Sequence, residues 1–159
     1  MDLHLTEEPV ATTGMLIRKP PRHVFEAFVN PDVTTRFWFT RSDGRLETGR
    51  PVTWYWDMYG ASVRTTPKTV EPYSRLVVEW GGDGESTIVD WRFTAMPEDA
   101  TFVEIRHAGF GGAADERVKK AIDSAQGFSF VLSGLKAFLE HGLELQLVRD
   151  RHPQGLASH

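Results

Sequence analysis

The chain has 159 residues, no cysteine and a formal net charge of −4. One domain with a sizeable core is the natural expectation; the lack of cysteine excludes a disulfide framework and a thiolate nucleophile, and the net charge argues against the broad basic face that general nucleic-acid binding needs. Hydrophobic residues at 40% and charged residues at 25% are ordinary for a globular protein, whereas five Trp and ten Phe make aromatic mass the one compositional anomaly.

Residues 1–9 carry little pattern and end at Pro9, so they read as a flexible arm. They have neither the charged start nor the apolar run of a signal peptide, and no stretch approaches the roughly 20 apolar residues that span a bilayer. A cytoplasmic protein without membrane insertion is expected. The first strand is predicted over 10–18, with the apolar run Met15-Leu16-Ile17. Lys19-Pro20-Pro21 breaks its ladder, because proline lacks the N–H that pairing requires, and proline also suits the start of a helix. Val24, Ala27 and Phe28 make a short apolar face before Asn30-Pro31. Asn30 is expected to cap a second short helix over 31–36, which delivers Phe37, Trp38 and Phe39. Three consecutive large aromatics cannot all share one face of a regular element.

From Arg41 onward the period changes to two. Asp43-Gly44 and Thr48-Gly49 mark turns, and Val52, Trp54, Trp56 and Met58 then alternate with Thr53, Tyr55, Asp57 and Tyr59. Tyr59-Gly60 turns the chain into a longer polar strand to about Val70, where Pro67 suggests an edge or a bulge. Glu71-Pro72-Tyr73-Ser74 turns it again. Leu76, Val78 and Trp80 alternate next; after the turn over 81–84 come Val89, Trp91 and Phe93, and after Met96-Pro97-Glu98-Asp99 come Val103, Ile105 and His107. Each connection has hairpin spacing and turn chemistry. On the opposite face Asp57, Glu79, Asp90, Arg92, Glu104 and Arg106 suit cross-strand pairing in solvent.

The longest periodic stretch is 115–141, where Ala121, Ala125, Phe128, Val131, Leu132, Leu135, Phe138 and Leu139 recur at helical spacing. Asp115 is the expected cap and Gly142 the expected stop. Such a helix runs about 40 Å, enough to cover the sheet. Gly127 and Gly134 each cost about 1 kcal/mol relative to alanine, so each is expected to permit close approach or a bend. The half over 128–139 reads as an anchor on the sheet, and the half over 118–125 as a lid that stands off it. The charged tail over 143–159 suggests an exposed end or a contact with a second subunit. Gly109-Phe110-Gly111-Gly112-Ala113-Ala114 has the form of a dinucleotide fingerprint, but the second parallel strand that a dinucleotide fold requires has no room after the helix. The segment reads as a linker from strand to helix.

The residues Pro20-Pro21-x-x-Val24-Phe25-x-Ala27-Phe28, Asn30-Pro31, Trp38, and Gly127-Phe128 followed by Leu132, Leu135, Phe138 and Leu139-Glu140 resemble the activator of Hsp90 ATPase homologue 1-like family. That family belongs to the START-like or Bet v 1-like (SRPBCC) helix-grip superfamily, and the likeness covers about residues 10–142. It implies an α+β helix-grip domain over 10–142. A curved antiparallel sheet of about seven strands wraps around a long C-terminal helix, with two short helices after the first strand. It also implies a cavity that superfamily members use to bind lipids, hormones or polyketides, or occasionally for catalysis. The distinct N-terminal Hsp90-binding domain of the eukaryotic co-chaperone has no counterpart in this sequence, so an Hsp90-type chaperone is not the expected partner.

Trp54, Trp56, Trp80, Trp91 and Phe93 fall on one predicted sheet face, where they either fill a core or line a pocket. The expected ligand-binding set is these five with Trp38, His107, Val118 and Ile122, and the expected partner is a small hydrophobic or aromatic molecule. His107 points inward if the alternation holds; it is either a hydrogen-bonded core histidine or the candidate acid or base. Tyr55 or Tyr59 is a second candidate for orienting a ligand. His4, His23, His141, His152 and His159 have no metal-site spacing, and no metal or other cofactor is expected. Binding without catalysis is the leading expectation. A cyclase- or hydrolase-like enzyme using the same pocket and a chaperone- or stress-related interaction protein are the alternatives, and a homodimer is compatible with all three.

Overall fold

Proline sets the first corner of the chain. In the computed structural model, which describes residues 4–82 and 84–153, strand β1 (Ala11–Ile17) ends before Pro20, and Pro21 opens helix α1 (Pro21–Val29). Residues 1–3 of the arm, Asp83 of the expected turn and residues 154–159 of the tail lie outside the described residues. The Asn30 side chain accepts from the Asp32 N–H and caps α2 (Pro31–Thr34), as its residue type predicts. Thr34 is completely buried, and its hydroxyl donates to the Ala27 carbonyl at 2.5 Å, tying the two short helices together.

Seven antiparallel strands form one sheet. After β1 they are β2 (Arg41–Ser42), β3 (Val52–Trp56), β4 (Ala61–Glu71), β5 (Arg75–Trp80), β6 (Thr87–Met96) and β7 (Ala100–Ala108), in the spatial order β1-β7-β6-β5-β4-β3-β2. β3 stops two residues short of Met58, because the Tyr59 N–H returns to the Trp56 carbonyl and Gly60 takes a positive φ of 66°. Pro67 sits at a bulge rather than an edge: the pairing of interior strand β4 with β5 shifts register between Pro67 and Thr69. On the outer face Asp90 and Glu79 do pair across strands, but with Arg75 at 3.1 Å and Lys68 at 3.2 Å rather than with the expected partners, and Arg92 meets Asp90 at 3.5 Å within β6 itself.

Gly109 and Gly112, at φ 91° and 107°, turn β7 into the long helix α3 (Ala114–His141). Its start differs from expectation. Ala113 occupies the cap position without a side-chain bond, so Asp115 lies inside the first turn, where its charge meets the positive end of the helix dipole. Gly142 ends the helix at φ 67°, as expected. α3 follows β1 and β7, with Phe128, Val131, Leu132 and Leu135 buried. Lys136 Nζ donates to the Leu16 carbonyl at 2.8 Å and to Glu140 at 2.7 Å, and Glu140 also accepts the Arg18 N–H at 3.0 Å. This fastens the anchor half of α3 to the end of β1. At Gly134 an added Cβ would stand 3.3 Å from the Phe37 carbonyl oxygen, so this glycine does permit a close approach. A fourth helix, α4 (Leu147–Arg151), follows where the sequence showed only a charged tail. No helix among the described residues is long and apolar enough to cross a membrane.

Candidate functional site

Because α3 tracks the β1–β7 side of a wide sheet, the faces of β3, β4 and β5 need another cover. The irregular chain between α2 and β2 supplies it. Phe37, Trp38 and Phe39 are all buried, since a backbone that is neither helix nor strand sends each ring to a different neighbour. Phe37 meets Phe28 at 5.6 Å and seats against Gly134; Phe39 stacks on Trp54 at 4.8 Å; Trp38 stacks on Trp80 at 5.9 Å with an interplanar angle of 18°.

The space left over is an open cavity of about 240 Å³. Trp38, Trp56, Trp80 and His107 form its sheet-side wall; Ser124, Gly127, Phe128, Phe130 and Val131 supply the α3 wall; Val148 and Arg151 of α4 flank it, with His152 just beyond that helix. No carboxylate among the described residues lines it. Four of the expected residues, Trp38, Trp56, Trp80 and His107, therefore meet there. Trp54, Trp91 and Phe93 share their sheet face but lie in the core, because Phe39 covers Trp54 while Phe28 packs on Trp91 at 5.8 Å and Phe93 at 6.1 Å. Val118 and Ile122 do not reach the cavity either, and Ile122 is 64% exposed. The expected lid over 118–125 contributes only Ser124 to the wall, and α4 stands where that lid was expected.

His107 points inward from β7 beside Val103 and Ile105, as the alternation predicts, and is 7% exposed. Its Nδ1 lies 2.7 Å from Ser124 Oγ and its Nε2 2.6 Å from Thr87 Oγ1. A neutral imidazole donates through one nitrogen and accepts through the other, and the two hydroxyls can serve either tautomer. Burial pushes its pKa down to about 4, so it is uncharged at neutral pH.

The tyrosines do other work. Tyr55 lies under the Arg41 guanidinium, 3.7 Å from its ring centroid, and is absent from the cavity wall. Tyr59 donates to the Val148 carbonyl and sets its ring edge-on to His152 at 5.8 Å. Together with Arg151 Nε donating to Gln126 Oε1 at 2.9 Å, this ties α4 across the cavity instead of leaving the tail an exposed end. Gly127 corrects a second expectation. A Cβ there would meet nothing within 4 Å, so this glycine opens space at the wall rather than admitting a close neighbour. Sequence reasoning missed Ser124, Phe130, Val148, Arg151 and His152 and read Phe128 and Val131 only as anchors on the sheet; the apolar pair Leu147-Val148 amid charges was the one signal that the tail packs on something. Among the described residues no cluster of three or more His, Cys, Asp or Glu is placed to hold a metal ion.

The family model described as activator of Hsp90 ATPase homolog 1-like protein matches residues 18–140. Among solved structures, the protein SSP2350 from Staphylococcus saprophyticus is 29% identical with a TM-score of 0.73, covering 86% of this chain and 95% of that one. The Aha1 dimer from Colwellia psychrerythraea is 17% identical with a TM-score of 0.72, over 84% of this chain and 97% of that one. CalU16 from Micromonospora echinospora is 18% identical with a TM-score of 0.66, over 92% and 91%. No curated protein matches.

Proposed function

The chain belongs to the activator of Hsp90 ATPase homologue 1-like family and has the helix-grip fold, and from that premise we propose that it is a non-enzymatic binding protein for a small apolar or aromatic molecule. The observation that carries this reading is the cavity between sheet and helix, walled by Trp38, Trp56, Trp80 and Phe128. Aromatic walls with few polar groups are what a ligand pocket of this kind needs, and an enclosed ligand gains roughly 25 cal/mol for each Å² of apolar surface removed from water. His107 favours binding over cyclase- or hydrolase-like chemistry. Both its nitrogens are engaged by Ser124 and Thr87, and with a pKa of about 4 it is poorly matched to proton transfer near neutral pH. The protein is read as cytoplasmic, and a homodimer, the assembly named for the Colwellia relative, is compatible with this role.

Native mass spectrometry of the purified protein, joined to a thermal-shift screen of lipids and aromatics, tests the reading. The expected result is a retained small molecule, or a rise in Tm that a ligand at a hundred times its Kd produces by adding about 2.7 kcal/mol. If no lipid or aromatic shifts the Tm and Trp fluorescence stays unchanged across the same panel, the reading fails.

A further inference from the structure

We propose that the cavity takes a planar aromatic acid, with its rings inward against Trp38, Trp80 and Phe128 and its anionic group outward on Arg151. This rests on the binding reading above and adds the chemical class of the ligand. The distribution of charge carries the argument. Among the described residues the wall has one permanent cation, Arg151, and no carboxylate. The polar group on the sheet side, His107, is 7% exposed and already bonded through both nitrogens, so it has no free donor for a buried anion. An anion placed there would lose its water with no cation on that side to pair with, which costs several kcal/mol. At α4 the balance reverses. Arg151 is exposed and forms no ion pair among the described residues. Its Nε is spent on Gln126, which leaves the two terminal nitrogens of the guanidinium for a carboxylate, the geometry that arginine matches best.

Size and shape narrow the class further. An apolar cavity of about 150 Å³ holds benzene, so 240 Å³ suits two fused rings bearing a small acidic group. Flat indole walls, with Trp38 and Trp80 within 18° of parallel, favour a planar partner over a flexible chain.

The test is calorimetric titration of the full chain at pH 7 and low salt with naphthalene-2-carboxylate, naphthalene-2-carboxamide and decanoate. The carboxylate is expected to bind about 5- to 10-fold more tightly than the carboxamide, a preference that shrinks as salt is added. Arg151→Gln is expected to bring the acid down to the amide's affinity, and Arg151→Lys to keep part of the preference. Because the substitution also loosens α4 from α3, the amide serves as the internal control. Gly127→Leu, which projects into open space at the wall, is expected to weaken both naphthalene probes. Equal affinity for acid and amide, a preference that survives Arg151→Gln, or binding untouched by Gly127→Leu overturns the proposal. Decanoate binding as tightly as the naphthoate overturns the aromatic part and leaves a cavity for acids in general. If none of the three probes binds, this proposal falls, whereas the binding reading falls only if the wider panel of lipids and aromatics also fails.

Discussion

Lowering the pH should expose the cost of burying His107. In the folded protein its pKa is pushed from 6.5 to about 4, whereas in the unfolded chain it returns to its ordinary value. Between these limits the unfolded state binds the additional proton, so stability rises with pH across the interval: the full contribution is present above about 6.5 and is lost as pH falls toward 4. At about 1.4 kcal/mol per pH unit the ceiling is about 3 kcal/mol, and water reaching the ring from the open cavity lowers the expectation toward about 2 kcal/mol. Hydrogen bonding does not oppose the proton, since the hydroxyls of Ser124 and Thr87 can both turn to accept from an imidazolium; burial does. The assay is urea unfolding at a series of pH values for the protein and for His107→Gln, whose amide keeps one donor and one acceptor but cannot titrate. Carboxylates such as Glu140, held below their ordinary range by Lys136 and the Arg18 N–H despite burial, contribute equally to both proteins. The difference between the two curves therefore isolates the imidazole. The reasoning is refuted if that difference stays flat from pH 7 to 4, or if the His107 ring protons titrate near 6.5 by NMR.

The two helix glycines should respond in opposite directions. Gly127→Ala, with open space around the new methyl, is expected to raise stability by about 0.5–1 kcal/mol through helix propensity alone. Gly134→Val pushes a branched side chain toward the Phe37 carbonyl, only 3.3 Å from the first added carbon, and is expected to cost about 1–3 kcal/mol. Urea midpoints at constant m-value read both. Tyr59→Phe removes the hydroxyl that holds the Val148 carbonyl; amide exchange over 147–151 should quicken several-fold while global stability falls by no more than about 1 kcal/mol.

Much of the fold was legible because most of its elements follow a simple period. Alternation placed Val89, Trp91 and Phe93 on one face of β6 and Val103, Ile105 and His107 on one face of β7, and each is buried there. The α3 face from Phe128 to Leu135 was equally plain, with its stop at Gly142. The start of α3 was misread by two residues, because an acidic residue is favourable both as a cap and inside the first turn, and composition does not separate the two. α4 was invisible for a different reason. Five residues make little more than one turn, too few for a period to emerge, and what holds them is Tyr59 from the β3–β4 turn and Gln126 from α3.

The site was harder to read than the fold because alternation assigns a residue to a face and says nothing of what covers that face. Trp54, Trp56, Trp80, Trp91 and Phe93 are equivalent by pattern. They part company only when α1 and the 35–39 segment settle on the sheet, the first burying Trp91 and Phe93 beneath Phe28 and the second burying Trp54 beneath Phe39. Trp56 and Trp80 remain at the wall because Trp38, the middle ring of three, reaches between them and α3, meeting Trp80 at 5.9 Å and Phe128 at 5.6 Å. The depth at which that wedge sits depends on Gly134, where a glycine lets the Phe37 backbone close on α3. About two turns further back, Gly127 carries no side chain into the gap. The same omission of a Cβ thus draws the covering segment in at one position and keeps the cavity open at the other.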